Sequence, residues 1–312
     1  MPNWKDLLLE IRNCISPSAI DTIRHKYINK LQKLRKRNIL IYYSGFLQRN
    51  DPRFSAHLPI DDSDMNLLMQ AIHCIKNDKN SNDCGTKLDL IMHTPGGDMA
   101  ATEAIINYLR SSFDNIECFV PQLSMSAGTS IACACDKIHM GKHSSIGPVD
   151  PQLGSISCYE LLAEYEYIKQ HVLGNEETGI RRDLQSIVMW RTFLEKYNPS
   201  IISKCYNATD LAIEMLRKSL KTRMFKDNQE DPKIEQIVKE LGMHDNTKMH
   251  SRHISYSKAI EIGLKVEKLE DQPELQDVVM TIHHCCMHTF TNTQAIKIVE
   301  TQNGGGLVVN AV

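Results

Sequence analysis

The chain has 312 residues, 42% of them hydrophobic, which is enough for one large core or two smaller ones. Its 36 Lys and Arg residues nearly balance 38 Asp and Glu residues, so composition does not indicate nucleic acid or an anionic membrane as a partner. The ten cysteines show no regular pairing, and the first residues do not have the pattern of a secretory leader, so we expect reduced thiols and a cytoplasmic protein. No run of about 20 apolar residues predicts a membrane span.

Two helices are predicted in the first segment, residues 1–37, and an alternation of strands and helices follows over residues 38–154. Short apolar runs predict strands at residues 38–44, 88–93 and 116–120, and helical spacing predicts helices at residues 64–75, 99–109 and 127–134. Strands that alternate with helices form parallel sheets covered by helices on both faces. The sequence therefore predicts an α/β fold with a mostly parallel sheet.

Ser126 lies at the junction between the third predicted strand and the small-residue helix that follows it. The first amides of a helix have no internal acceptors and point toward any negative charge beside them. A serine at this position is placed as a nucleophile would be. The alternative is that Ser126 only caps the helix, because serine is a preferred capping residue.

A second strand-to-helix junction contains the paired glycines Gly96 and Gly97. Glycines let backbone amides approach a substrate closely, because no Cβ stands in the way. The amides of Gly97 or Gly96, together with that of Ala127, are therefore candidates for an oxyanion hole. The alternative is a tight turn without a chemical role. In parallel sheets both junctions would lie outside the carboxyl ends of the strands, where ligands bind.

Several separated motifs resemble one family when they are taken together. His93-Thr-Pro-Gly-Gly97, Ser126-Ala-Gly128 and the segment 144–152 occur in the order found in the Clp/crotonase superfamily. The chain is most similar to its serine dehydrogenase proteinase family, relatives of signal peptide peptidase. The resemblance implies a Clp/crotonase-like fold with a helical insertion, an ATP-independent serine peptidase that acts on peptides or proteins, and a homo-oligomer. No Gly-x-Gly-x-x-Gly fingerprint follows a strand, so we expect no nicotinamide and no other cofactor.

The sequence does not identify the general base. The resemblance to Clp-type relatives implies a histidine in the strand after this region, and the nearest corresponding residues of this chain are Asp150 and Pro151. The signal peptide peptidase relatives use a lysine on a later helix, and Lys169 lies at about that distance. A lysine with its ordinary pKa of about 10.4 must be desolvated to act near neutral pH, and the neighbouring Glu166 would oppose this. Lys169, Asp150 and His143 are the three candidates.

Residues 155–243 are predicted to form a helical insertion that packs against the core or against a second subunit. Residues 244–312 are predicted to complete the core, ending in a terminal edge strand at residues 297–301 and a flexible glycine-rich stretch at 303–306. This C-terminal part is rich in histidine, but the spacing matches no zinc motif. We therefore expect packing or hydrogen bonding and no metal site for His244, His250, His253, His283, His284 and His288.

Three functions fit the sequence. The first is a serine peptidase with Ser126 as nucleophile. The second is a crotonase-like enzyme that binds an acyl-thioester in the same oxyanion hole, with Ser126 structural, although no feature of a coenzyme A site is visible. The third is a non-catalytic assembly scaffold with a degenerate site. This possibility stays open because the sequence shows no evident base.

Overall fold

The computed structural model describes residues 4–16, 18–49, 51–78, 84–154, 156–174, 179, 184–195, 198, 200–242 and 252–310. The strands, in chain order, are β1 (Asn38–Ser44), β2 (Lys87–His93), β3 (Asn115–Val120), β4 (Leu123–Ser124), β5 (Lys137–Met140), β6 (Ser145–Ile146), β7 (Gln152–Leu153), β8 (Ile156–Ser157), β9 (Ile254–Ser255), β10 (Val266–Lys268), β11 (Ala295–Thr301) and β12 (Gly306–Asn310). The helices are α1 (Trp4–Asn13), α2 (Ala19–Arg35), α3 (Pro52–Ser55), α4 (Asp64–Asn77), α5 (Met99–Ser112), α6 (Ala127–Cys133), α7 (Cys158–Leu173), α8 (Leu184–Leu194), α9 (Ser200–Thr222), α10 (Lys233–Gly242), α11 (Tyr256–Glu261) and α12 (Pro273–Asn292).

A seven-stranded sheet in the order β10-β5-β3-β2-β1-β11-β12 forms the centre of the protein. The first five strands of this order run parallel, and β11 and β12 add an antiparallel pair next to β1. The predicted mostly parallel α/β sheet is confirmed. Because β1, β2, β3 and β5 are parallel neighbours, their carboxyl ends lie along the same edge of the sheet.

Both faces of the sheet are covered by helices, and the side chains of β1 show how. Leu40 and Tyr42 belong to a core that includes residues of α4, α5, α6, α9 and α10. Ile39, Ile41 and Tyr43 point to the opposite face and pack with residues of α2 and α12. Successive side chains of a strand point to opposite faces, so a strand buried on both sides is apolar throughout.

The C-terminal end of the chain corrects one prediction. The predicted edge strand extends over Ala295–Thr301, but it is an internal strand that lies between β1 and β12. The glycine-rich stretch is the turn of a hairpin, in which Gly304 has φ +70 and its amide donates to the Thr301 carbonyl (3.1 Å). Glycine supplies the positive φ that this turn requires. The edge strand is therefore β12.

None of the described helices combines the length and the hydrophobicity that crossing a bilayer requires.

Candidate active site

Ser126 directly precedes α6 in a conformation that amino acids other than glycine rarely adopt. Its φ is 51° and its ψ is −113°. Ser126 and Lys36 are the two non-glycine residues with positive φ in the described part of the chain. Such conformations cost about 1–3 kcal/mol and persist only where the surroundings enforce them. Small residues open α6, and its whole length is buried, so the start of the helix packs tightly behind Ser126.

The glycine junction lies against the serine junction. Thr94 donates its amide to the Leu123 carbonyl (3.1 Å), and the Met125 amide donates to the Thr94 carbonyl (3.0 Å). Gly96 has φ +98, and a Cβ built on it would lie 2.7 Å from the Met125 oxygen and 2.8 Å from Cβ of Ser126. Only glycine fits this position, because the added carbon would overlap the serine.

A third segment holds the glycine junction from the other side. The Ile60 amide donates to the Gly96 carbonyl (2.8 Å), and the Asp98 amide donates to the Ile60 carbonyl (2.8 Å). A Cβ on Gly97 would lie 2.2 Å from the Ile60 oxygen, so this position also accepts only glycine. Among the residues that the structure describes, the Gly97, Ser126 and Ala127 amides donate to no acceptor. Of the two glycines, Gly96 lies against Cβ of Ser126, and Gly97 follows it in the chain.

The loop that follows β5 reaches the site through a glycine. The Gly147 amide donates to Oγ1 of Thr129 (3.0 Å), and a Cβ on Gly147 would lie 3.3 Å from the Ser126 nitrogen. The loop therefore packs against the serine backbone. The two titratable candidates of this loop make their contacts elsewhere.

Lys169 lies on the exposed side of α7. Its Nζ contacts the carboxylate of Glu166 (3.2 Å), and 49% of its side chain is exposed. The apolar surroundings expected for a lysine base are therefore not present in this conformation.

Asp150 is buried at the start of α7, where it accepts a hydrogen bond from Oγ of Ser157 (3.4 Å). Burial raises the pKa of the neighbouring Cys158 to about 12, and the Asp150 carboxylate adds to this shift. His143 lies on the α12 side of the fold, with its Nε2 3.3 Å from the sulfur of Met280. Within the described part of the chain, the Ser126 hydroxyl makes no hydrogen bond. The structure thus brings Gly96, Gly97, Ser126 and Ala127 together and pairs the three candidate bases with other groups.

A buried cluster behind the site was not predicted. His93 ends β2, and its ring lies 5.8 Å from that of Tyr43 and 5.4 Å from that of His283. Burial lowers the His93 pKa to about 4 and lowers the His283 pKa well below its ordinary value. His93 Nδ1 accepts a hydrogen bond from the Leu123 amide (3.3 Å), which joins the cluster to the strand before Ser126. The sequence feature that could have indicated this cluster is a histidine at the end of an apolar strand.

No group of three potential metal ligands occurs among the residues that the structure describes. His244 and His250 lie outside those residues. His283, His284 and His288 follow one another along α12, and a ring of Trp4 packs against the latter two.

Two curated relatives, both uncharacterized proteins of Methanocaldococcus jannaschii, match part of the chain. One is 31% identical over 179 residues, which are 57% of this chain and 51% of the relative. The other is 40% identical over 97 residues, which are 31% of each protein. The chain thus spans about half the length of the first relative and less of the second.

Solved structures of the 1510-N membrane-bound stomatin-specific protease are also similar. One is a mutant in complex with a substrate peptide, with a TM-score of 0.40, 17% identity and coverage of 81% of this chain and 83% of that chain. A second mutant has a TM-score of 0.40 and 15% identity, with coverage of 81% and 88%.

The family described as ClpP-like SDH-type serine proteinase matches residues 9–189, which include the glycine junction and the serine junction with Ser126. This match extends over more than half of the chain and confirms the resemblance found in the motifs. The chain therefore belongs to the family of ClpP-like SDH-type serine proteinases.

Proposed function

We propose that this protein is a serine peptidase in which Ser126 is the nucleophile. The observation that carries the proposal is the backbone of Ser126, which is held at φ 51° directly before a buried helix. A serine that only capped the helix would need no such strain, whereas strained residues cluster at active sites. Membership in a family of serine proteinases supports the same assignment.

The amides of Gly97 and Ala127 form the proposed oxyanion hole. Gly96 is the weaker candidate, because its amide already donates to Oγ1 of Thr94 (3.2 Å). When Oγ of Ser126 attacks a peptide carbonyl, the negative charge develops on the carbonyl oxygen, and two unpaired donors stabilise it. Loss of one such donor typically lowers the rate by about 100- to 1000-fold.

The general base is Lys169, Asp150 or His143, or a group that a second copy of the chain supplies in a homo-oligomer. Lys169 would first have to leave Glu166. Three variants separate these possibilities: Lys169→Met, Asp150→Asn and His143→Gln. Only substitution of the true base should abolish turnover while Ser126 stays in place. Comparing the activity of monomer and oligomer fractions tests the fourth possibility.

One observation favours a second candidate, the non-catalytic scaffold. The Ser126 hydroxyl makes no hydrogen bond within the described part of the chain, so no residue there is in position to activate it. In this case the helices α7 to α10 would mediate assembly, and the chain would not turn over any peptide.

A fluorophosphonate probe, which reacts covalently with activated serines, tests the proposal directly. We expect labelling of the folded protein, with the adduct on Ser126 in peptide mapping and none in Ser126→Ala. Failure of labelling across neutral and alkaline pH, in protein shown to be folded by circular dichroism, would support the scaffold instead.

A further inference from the structure

A buried lysine holds the segment that contacts Gly97. Lys297 lies in β11, and its side chain is 3% exposed. Its Nζ donates to both carboxylate oxygens of Asp64 (2.8 Å each) and to the Pro59 carbonyl (2.8 Å). The lysine is thereby bound to both ends of the segment 59–64.

Two further hydrogen bonds hold the Asp64 carboxylate in place. The Tyr42 hydroxyl donates to it (2.9 Å), as does the Asp61 amide (3.0 Å). Burial, with the charge of Asp64, raises the Tyr42 pKa well above its ordinary value, so this phenol remains a donor. Burying an ion pair is costly, and apolar residues often stabilise a core as well or better. Stability alone is therefore a weak reason for this arrangement.

The Pro59 carbonyl and the Ile60 amide belong to the same peptide group. Nζ of Lys297 donates to the oxygen of that peptide group, and the N–H of the same peptide group donates to the Gly96 carbonyl. A cation at the oxygen polarises the peptide and strengthens its N–H as a donor. The Ile60 carbonyl in turn accepts from the Asp98 amide, so the residues on both sides of Gly97 are fixed by Ile60.

We propose that Lys297 is a positioning residue that orients the Gly97 amide through the peptide between Pro59 and Ile60. The inference rests on the proposed function, in which Gly97 is an oxyanion donor. Such donors act because they are aimed before the reaction, and a shift of about 1 Å can cost about 100-fold in rate. Lys297 itself would touch neither substrate nor the reacting atoms.

The chain offers a matched control on the same strand. Glu300 of β11 forms a second buried ion pair, with Nε of Arg24 (2.7 Å) and Nη2 of Arg24 (2.6 Å). Arg24 also binds Thr289 and Asp21, and makes no hydrogen bond or ion pair with the segment 59–64. Arg24→Met should therefore destabilise the protein without moving Gly97.

The test measures how fast the fluorophosphonate probe inactivates the protein, separated into kinact and KI. In Lys297→Met we expect kinact to fall by about 10- to 100-fold, with KI within about a factor of two, because the donor is misplaced while the probe still binds. Arg24→Met should keep kinact, although its melting temperature falls. The double variant Lys297→Met/Asp64→Asn leaves no unpaired buried charge, and should fold and show the same slow kinact.

The outcomes separate the two proposals. Labelled wild-type protein with unchanged kinact in the double variant would overturn the role of Lys297 and leave the peptidase standing. An equal loss of kinact in Arg24→Met would also overturn it, since the effect would then follow stability. Absence of labelling in the wild type would overturn the proposed function, and this inference with it.

Discussion

Acid should destabilise this fold through His93, because the folded protein keeps that imidazole neutral. The side chain is fully buried, and its Nδ1 accepts a hydrogen bond from the Leu123 amide. The rings of Tyr43, Phe46 and His283 lie beside it. Burial lowers the His93 pKa from 6.5 to about 4. A proton on this ring would place a charge in an apolar environment.

The sign and size of the effect follow from proton binding. Between about pH 6.5 and pH 4 the unfolded chain binds a proton at His93 that the folded chain excludes, so the free energy of unfolding falls as pH falls. One such proton changes stability by at most about 1.4 kcal/mol per pH unit, and because the unfolded histidine is only half protonated at about pH 6.5, the loss between about pH 6.5 and pH 5 is about 1.6 kcal/mol. The lowered pKa of His283 acts in the same direction.

Urea denaturation across this pH range compares the wild type with His93→Asn. Asparagine still offers an oxygen to the Leu123 amide but does not titrate. We expect the variant to lose about 1.6 kcal/mol less than the wild type between about pH 6.5 and pH 5. If the two proteins lose the same amount, His93 is not held neutral in the folded state, and the reasoning fails.

Three further predictions concern the site. Ser126→Gly should be about 1 kcal/mol or more stable than Ser126→Ala in urea denaturation, because glycine adopts φ 51° without strain; equal stabilities would argue that no strain is stored. Gly97→Ala should lose probe labelling, since its Cβ would lie 2.2 Å from a backbone oxygen, whereas Gly242→Ala, with its nearest contact at 3.6 Å, should label normally. Lys169→Met should label like the wild type, because in the structure Lys169 is paired with Glu166; loss of labelling would show that this ion pair opens in the reactive state.

Much of the fold could be predicted because its strands are buried on both sides. Apolar runs such as β1 and β2 are visible in the sequence, and parallel strands bring their carboxyl ends together, so Ser126 and the two glycines were expected at one edge. The hairpin of β11 and β12 was missed, because a glycine-rich stretch can be either a flexible linker or a tight turn. Which of the two it is depends on whether the flanking residues join a sheet, and here β11 does so by pairing with β1, which is far away in the chain.

The contacts around the site were less predictable. Ile60 lies in an irregular segment, where hydrophobic periodicity gives no signal, and its hydrogen bonds to the glycine junction are made by the backbone. Whether a candidate base reaches Ser126 depends on the direction of its side chain, which the sequence does not show. Lys169 was a candidate because of its distance from Ser126 along the chain, but Glu166, one helical turn earlier, offers it a closer partner.

The position of β11 between β1 and β12 has a consequence for how the chain folds during synthesis. The face of β1 that carries Ile39, Ile41 and Tyr43 packs with α12, whose last residue is Asn292, and β1 pairs with β11 only after that. A nascent chain that has completed the family segment, residues 9–189, has only α2 to cover this sheet face, and the edge of β1 that pairs with β11 is still unpaired. A fragment that ends there should aggregate rather than fold. The two junctions of the candidate site are then synthesised well before the sheet that holds them is complete.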